Sequence, residues 1–375
     1  MLFKEVIGQQ SIKEHLVKSV KENKVSHSYL LAGNEGTGGL ALAMAFARYL
    51  NCLNPSETDS CETCSSCLKA RKMIHPDIHF VYPVIKKESS KPAKSDDFIS
   101  KWRSFVLSNP YFSSLQWISQ IGDEKKSGVI YVEESLSIIK KLNLKNFEGK
   151  HKIMIIWLPE RMNDAGANKL LKILEEPPAS TVFLLVSENP GALLPTIVSR
   201  AQLINIPPIK VKTITEELIN RFSILPNEAN VAARLSNGNF VTALEYLESE
   251  GSNNELMDKF TTLMRSTYNI KMFDVEKWVS EMSVLSRDVL KNFFVYSIGM
   301  LRDSFLYNFK QPDLVFLSQK ETDFVSKFSP FITHNNVIQM VEELELAYDH
   351  IEQNGNAKII LFDMAIKFIT IIKKK

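Results

Sequence analysis

The chain of 375 residues is 45% hydrophobic and 23% charged, with a formal net charge of +2. This is the composition of a globular protein of two or three domains; it excludes a disordered chain and a strongly basic nucleic-acid binder, so nucleic-acid contact would have to come from local patches or partners. No charged-then-apolar leader precedes Phe3 and no apolar run reaches membrane-spanning length, so a cytoplasmic protein without membrane contact is expected.

In chain order, SIKEHLVKSVKENK reads as an amphipathic helix, SYLLA as a strand and GLALAMAFARYL as a buried helix. A run of cysteines follows, then DIHFVYPV as another strand. KKESSKPAKSDD is polar, contains proline and lacks periodicity, which predicts an exposed, mobile loop. The aromatic stretch from Phe98 to Gln120 predicts an inserted helix or two. Regular order resumes with GVIYVEESLSIIKKLNLK as a short strand and a helix, KIMIIWL as a strand, DAGANKLLKIL as a helix and STVFLLVS as a strand. ALLPTIVSR predicts a short helix and AQLINIP a last strand. Strands alternating with helices predict an α/β domain on a parallel sheet with helices on both faces. Pro207-Pro208 marks its end. Beyond it, TITEELINRF, PNEANVAARLS and NFVTALEYLESE read as three short helices, and the longer patterns from about Asn253 predict an all-α bundle.

The segment after the first strand, Gly33-Asn34-Glu35-Gly36-Thr37-Gly38, fits the phosphate-binding pattern G-x-x-x-x-G-K-[ST] at both of its glycines. It fails at the next two positions, where Gly39 replaces the lysine and Leu40 the magnesium-binding hydroxyl. Backbone N–H groups at a helix N-terminus can hold an anion unaided, but hydrolysis needs the lysine and the hydroxyl. Taken alone, the loop is better explained as a tight packing corner. A second nucleotide station should be a strand ending in acids. KIMIIWLPE ends in Trp157-Leu158-Pro159 instead, with the first acid delayed to Glu160. An indole and a leucine neither bind a metal nor polarise water. Two stations that lost their chemistry and kept their architecture point to a nucleotide fold in which ATP is not bound productively. The next helix presents Ala167, Leu170, Leu171 and Leu174 on one face, is capped by Asn163 or Asp164, and stops before Pro177-Pro178. Lys169 and Lys172 fall off that face, where solvation is the ordinary role.

All four cysteines, Cys52, Cys61, Cys64 and Cys67, fall within sixteen residues. In a reducing compartment that clustering argues for a metal rather than disulfides. Four thiolates at this spacing close a tetrahedral structural Zn²⁺ site and leave no position open for catalysis. An iron–sulfur cluster fits the spacing as well, although nothing else in the chain suggests electron transfer. His75 and His79 lie nearby but are not needed as ligands.

FKEVIGQQSIKEHLVKSV…HSYLLAG, HPDIHFV, MNDAGANKLLKILEEPPAST, LLPTIVSRAQ and EQNGNAKIILFDMAI occur in the order seen in bacterial clamp-loader subunits. The chain resembles the delta-prime family of these subunits in the DNA polymerase III holoenzyme, non-hydrolysing AAA+ relatives of the gamma/tau ATPase. The resemblance extends over essentially the whole chain, most strongly at residues 1–80 and 129–208. LLKILEEPP followed by LLPTIVSR is specific to the group; the glycine loop is not.

The resemblance implies an AAA+ domain with a five-stranded parallel sheet over residues 1–208, carrying a zinc module at about 52–67 and an insertion at about 86–128. A small three-helix lid over 209–250 and a helical collar for oligomerisation over 251–375 would follow. It further implies that an arginine is offered across a subunit interface to a neighbour's ATP from a Ser-Arg-Cys motif. The matching residues are Ser199, Arg200 and Ala201, so the cysteine is missing while the charge remains. A sensor arginine of active relatives falls at Val241, and its following aspartate at Thr242, a third lost station. No role follows for Glu188-Asn189. The implied protein is no enzyme by itself but part of a DNA-directed DNA polymerase holoenzyme. Its partners would be gamma/tau-type ATPase subunits and the delta subunit, and through the complex the sliding clamp and primer–template DNA. A divergent P-loop ATPase and a zinc-dependent DNA-binding protein are the two alternatives.

Overall fold

The computed structural model describes residues 1–86, 93–122, 128–248, 250–309, 315, 317–353 and 355–373. They form two compact units, one of Met1–Ile224 with Ser236–Ala243, the other of Leu225–Leu235 with Leu244–Lys375.

The first unit is built on β1 (Ser28–Ala32), β2 (Ile78–Val81), β3 (Lys152–Trp157), β4 (Thr181–Ser187) and β5 (Gln202–Asn205), a parallel sheet in the order β2-β3-β4-β1-β5. Leu30 on β1 stands opposite Leu185 on β4 and Leu203 on β5. β1, β3 and β4 are buried along their whole length, which is why they are written as continuous apolar runs rather than alternations. Edge strand β5 exposes Gln202, Leu203 and Asn205.

Its helices are α1 (Gln10–Lys21), α2 (Gly39–Leu50), α3 (Ser65–Arg71), α4 (Ile99–Ser108), α5 (Ser114–Ile121), α6 (Val132–Asn143), α7 (Asp164–Glu175), α8 (Pro195–Val198) and α9 (Val211–Phe222). On one face of the sheet Leu30, Met154, Ile156, Phe183 and Leu185 share a core with Ile138 of α6, Leu170 and Leu174 of α7, and Ile197 of α8. Tyr29, one residue from Leu30, points to the other face and meets Phe46 of α2 at 5.3 Å between ring centroids. Asn163 caps α7, its Oδ1 accepting the Gly166 N–H at 3.0 Å. Lys169 and Lys172 are exposed, as expected.

Two local expectations change. The strand expected at GVIY is reduced to two isolated bridges, Val129 with Val84 and Ile130 with Met162, because neighbouring residues pair with different partners and no ladder can propagate. In KKESSKPAKSDD, residues 87–92 lie outside the described residues. The rest is not all exposed: Ala93 and Ser95 are buried. Ser95 N–H donates to Glu134 Oε2 at 2.6 Å and the Tyr82 hydroxyl donates to the Ser95 carbonyl at 2.6 Å, so its polar groups are satisfied inside.

The second unit contains α10 (Pro226–Leu235), the end of α11 (Phe240–Glu248), α12 (Glu250–Tyr268), α13 (Met272–Ser283), α14 (Arg287–Tyr307), α15 (Gln319–Phe328), α16 (Val337–Glu352) and α17 (Ala357–Ile371). Phe260, Trp278, Phe293, Phe294, Leu344 and Phe368 lie in its core. Residues 209–250 are divided between the units, α9 and the start of α11 going to the first. Among the described residues no helix is long and apolar enough to cross a membrane.

Candidate functional site

β1 runs into the loop Gly33–Gly38, and α2 starts at Gly39. Gly36 and Gly38 have φ of +71° and +95°, backbone that a side chain would strain. The space beside them is filled by protein. A Cβ on Gly36 would collide with Asn239 Oδ1, and one on Gly38 would stand 3.2 Å from the Tyr111 hydroxyl. Phe240 N–H donates to the Gly36 carbonyl at 3.1 Å, and Gln9 Nε2 donates to the Thr37 carbonyl at 3.1 Å. Leu40 is buried in α2. What remains of the cleft between Gly33, Gly38, Tyr111, Phe112, Trp157 and Glu188 is about 30 Å³, space for a water or two.

The other stations are equally apolar. Trp157 and Leu158, at the end of β3, are buried. The Trp157 ring meets Phe112 at 5.1 Å and Trp102 at 5.5 Å. Val241 is 1% exposed, while Thr242 faces solvent. Glu188, which follows β4, is pushed up to about 8 by burial and by the carboxylates of Glu35 and Glu160, against Arg161. Glu160 Oε1 accepts the Glu188 and Asn189 N–H groups at 2.8 and 3.0 Å, so the delayed acid is spent on holding backbone. Glu35 and Glu160, the carboxylates that help to raise Glu188, disfavour an added phosphate there.

Ser199 and Arg200 follow α8 at the surface. Arg200 forms an ion pair with Glu175 at the end of α7, and its Nη1 donates to the Thr196 carbonyl at 2.9 Å and to Ser199 Oγ at 3.3 Å. Ala201 packs against the sheet core, so the position expected to hold a cysteine is filled by a small apolar side chain.

The four cysteine sulfurs lie within 4.8 Å of one another, and Cys61 Sγ is 3.9 Å from Cys67 Sγ. Sulfurs on a tetrahedral zinc with bonds of about 2.3 Å sit about 3.8 Å apart, so the donor set fits such an ion. Cys52 follows the end of α2, Cys61 lies in the connecting turn, and Cys64 caps α3, which contains Cys67. The N–H groups of Cys61, Cys64 and Cys67 donate to the sulfurs of Cys52, Cys61 and Cys64 at 3.3, 3.4 and 3.4 Å. Burial pushes the Cys52 thiol up to about 12; for Cys61 burial is outweighed by the N–H groups of Cys64 and Thr63, which bring it down to about 6. Neither His75 nor His79 belongs to the cluster. His75 is buried with its Nδ1 accepting the Asp77 N–H at 3.1 Å, and burial lowers His79 to about 4.

A sequence profile for the family described as "DNA polymerase III, delta subunit" matches residues 8–210. The chain belongs to that family. It is 30% identical over 237 residues to the DNA polymerase III subunit delta′ of Bacillus subtilis 168, a match covering 63% of this chain and 58% of that protein. To the subunit delta′ of Escherichia coli K12 it is 27% identical over 237 residues, covering 63% of this chain and 59% of the relative. The chain thus spans less than two thirds of the length of these curated relatives. Among solved structures, a gamma subunit-related protein of DNA polymerase III from Thermotoga maritima aligns at 15% identity with a TM-score of 0.40, over 96% of this chain and 100% of that one.

In this member of the family, three residues that sequence reasoning passed over, and Glu188, to which it gave no role, shape the sites. Tyr111, from the insertion, closes the glycine loop. Glu188 brings to the cleft a carboxyl group that keeps its proton up to about pH 8. Arg48, in the last turn of α2, is buried, and its Nε and Nη2 have no hydrogen-bond partner among the described residues; burial pushes the Cys67 thiol up, and the Arg48 side chain beside it works in the opposite direction. Asp77 accepts N–H groups from Phe147, Glu148 and Gly149 at 2.8, 2.9 and 2.7 Å, pinning that loop before β3. An arginine in the last turn of an Ala/Leu-rich buried helix was the one signal available for Arg48.

Proposed function

We propose that this chain is a non-hydrolysing subunit of a DNA polymerase III clamp loader that lends Arg200 to ATP held by a neighbouring gamma/tau-type ATPase subunit. The observation that carries the reading is the closed cleft. Residues of the chain itself fill the space beside Gly36 and Gly38, and only about 30 Å³ is left at the loop. Gly39, Leu40, Trp157, Leu158 and Val241 supply no group that could hold Mg²⁺ or compensate phosphate charge. Arg200, by contrast, is presented at the surface with its guanidinium one-third exposed, and Ser199 beside it accepts one of its N–H groups.

In this reading the mechanism is positional. The parallel sheet and α8 fix Arg200 in place, and the guanidinium stabilises charge developing on a phosphoryl group bound by the neighbour. The helical unit contributes the collar that joins the delta and gamma/tau subunits. The assembly then opens the sliding clamp and closes it on primer–template DNA. Cys52, Cys61, Cys64 and Cys67 would hold a structural Zn²⁺, whose bonds tie the residue 52–67 loop to the end of α2 and the start of α3.

The test is a complex reconstituted with the partner ATPase. Arg200→Ala should assemble normally and lose about tenfold or more of the DNA- and clamp-stimulated ATP turnover. Unchanged turnover would sink the role of Arg200, and ATP hydrolysis by the isolated chain would favour a divergent ATPase.

A further inference from the structure

The insertion is the part of the chain whose sequence gave no hint of purpose. We propose that its tip, Pro110-Tyr111-Phe112, is a resident occupant of the cleft that takes the place of a nucleotide and holds the surrounding segments in one conformation.

Four observations carry this. The tip is rooted firmly: Trp102 of α4 stacks on Tyr82 at 3.9 Å, and Trp117 of α5 donates its indole N–H to the Pro83 carbonyl at 2.8 Å. Its bend is specified at both ends, since Asn109 Oδ1 accepts the Tyr111 N–H at 2.9 Å and Ser113 Oγ caps α5 at Gln116 N–H. Tyr111, only 3% exposed, touches three segments remote in sequence: its hydroxyl accepts the Ile7 N–H at 2.7 Å, its ring lies against Gly38, and it meets Phe240 at 5.3 Å. Finally, Phe112 docks on Trp157, the residue standing where an acidic station would be.

The last contact gives Trp157 a purpose beyond the loss of an acid. An aspartate or glutamate there would face a buried phenyl ring without a partner, whereas an indole gives an apolar platform. An occupant carried by the chain itself is always present at high effective concentration, whatever the supply of free nucleotide. The loop, the N-terminal segment and the start of α11 are therefore ordered without any diffusible ligand. Here the ordering is built in.

Although the occupant bears on the same loop as the non-hydrolysing reading, the two fail on different measurements. Hydrogen–deuterium exchange is followed in the full chain, with and without millimolar Mg-ATP. In the unaltered protein, peptides covering Gly33–Leu42 should be protected, and Mg-ATP should not change them. Tyr111→Ala/Phe112→Ala should raise their exchange about tenfold or more while leaving β4 unchanged. Tyr111→Phe, which keeps the ring, should raise exchange about tenfold at Ile7 alone, the factor for one buried hydrogen bond. Equal loop exchange in the double variant, or protection of the unaltered loop by Mg-ATP, overturns the proposal. If the double variant fails to fold, Tyr111→Phe decides, and no change at Ile7 overturns it. ATP turnover by the unaltered chain tests only the non-hydrolysing reading.

Discussion

Arg200 and Glu175 form an ion pair that joins the end of α8 to the end of α7, with the arginine side chain 33% exposed and the glutamate 47% exposed. A pair this accessible contributes at most about 1 kcal/mol, so it aims the guanidinium without sequestering it. Glu175→Gln should therefore move stability by less than about 0.5 kcal/mol in urea unfolding. Arg200→Lys keeps the charge and loses the planar fork, and should leave stimulated turnover of the reconstituted complex about tenfold below the unaltered complex. Full activity of the lysine variant would mean that charge alone suffices.

Elemental analysis should find about one zinc per chain. Cys64→Ser should abolish stoichiometric binding and lower the melting temperature, and a strong chelator should do the same to the unaltered protein. Arg48→Met should weaken zinc about 10- to 100-fold in competition with a chromogenic chelator, because the buried guanidinium beside Cys67 would offset the charge of the bound thiolates. Iron with visible absorbance, or full affinity in the Arg48 variant, would contradict these assignments.

Glu188 sets a pH dependence. Its folded value of about 8 exceeds the ordinary 4.5, so between these limits the folded chain keeps a proton that the unfolded chain has released. Stability from this group is complete below about pH 4.5 and is lost as the pH rises toward about 8. Glu188→Gln should unfold at higher urea than the unaltered chain near pH 8 and at the same urea near pH 4.5. A difference that does not change with pH would refute the burial of an acid at this position.

Asp77 behaves in the opposite sense. Burial works to raise it, but the N–H groups of Glu148, Phe147 and Gly149 outweigh burial and hold it below its ordinary 3.8. Its contribution is present above that value and disappears as the pH falls through the lower folded one. Asp77→Asn replaces charged acceptors with one amide oxygen and should cost about 1–3 kcal/mol in neutral urea unfolding. A cost that persists undiminished at acid pH would rule out the charged hydrogen bonds as its source.

Much of the first unit was legible before any tertiary structure. β1, α2 and β4 are announced by continuous apolar runs bounded by glycine, serine or proline, and Asn163 signals its own cap. The cysteine cluster was legible for the same reason, since Cys61, Cys64 and Cys67 lie in one turn and the start of one helix. GVIY misled because Ile130 is buried, and Val129 and Tyr131 half-buried, without a continuous strand partner. Periodicity reports burial, and burial does not require a ladder.

By itself the sequence determined the order of the elements, the presence of Gly39, Leu40, Trp157 and Leu158 where a nucleotide site would need a lysine, a hydroxyl and acids, and the four sulfurs available to a metal. These properties are local: each depends on residue type and on spacings of a few positions. Only the tertiary structure decided what packs against these positions. Tyr111 reaches Ile7 across 104 residues, and Phe112 meets Trp157, contacts that leave no periodic trace in either segment. The same holds for Arg200, whose partner Glu175 is set by the packing of α7 against α8. Side chains far apart in sequence become neighbours when the sheet brings their segments together, and no local pattern encodes that meeting.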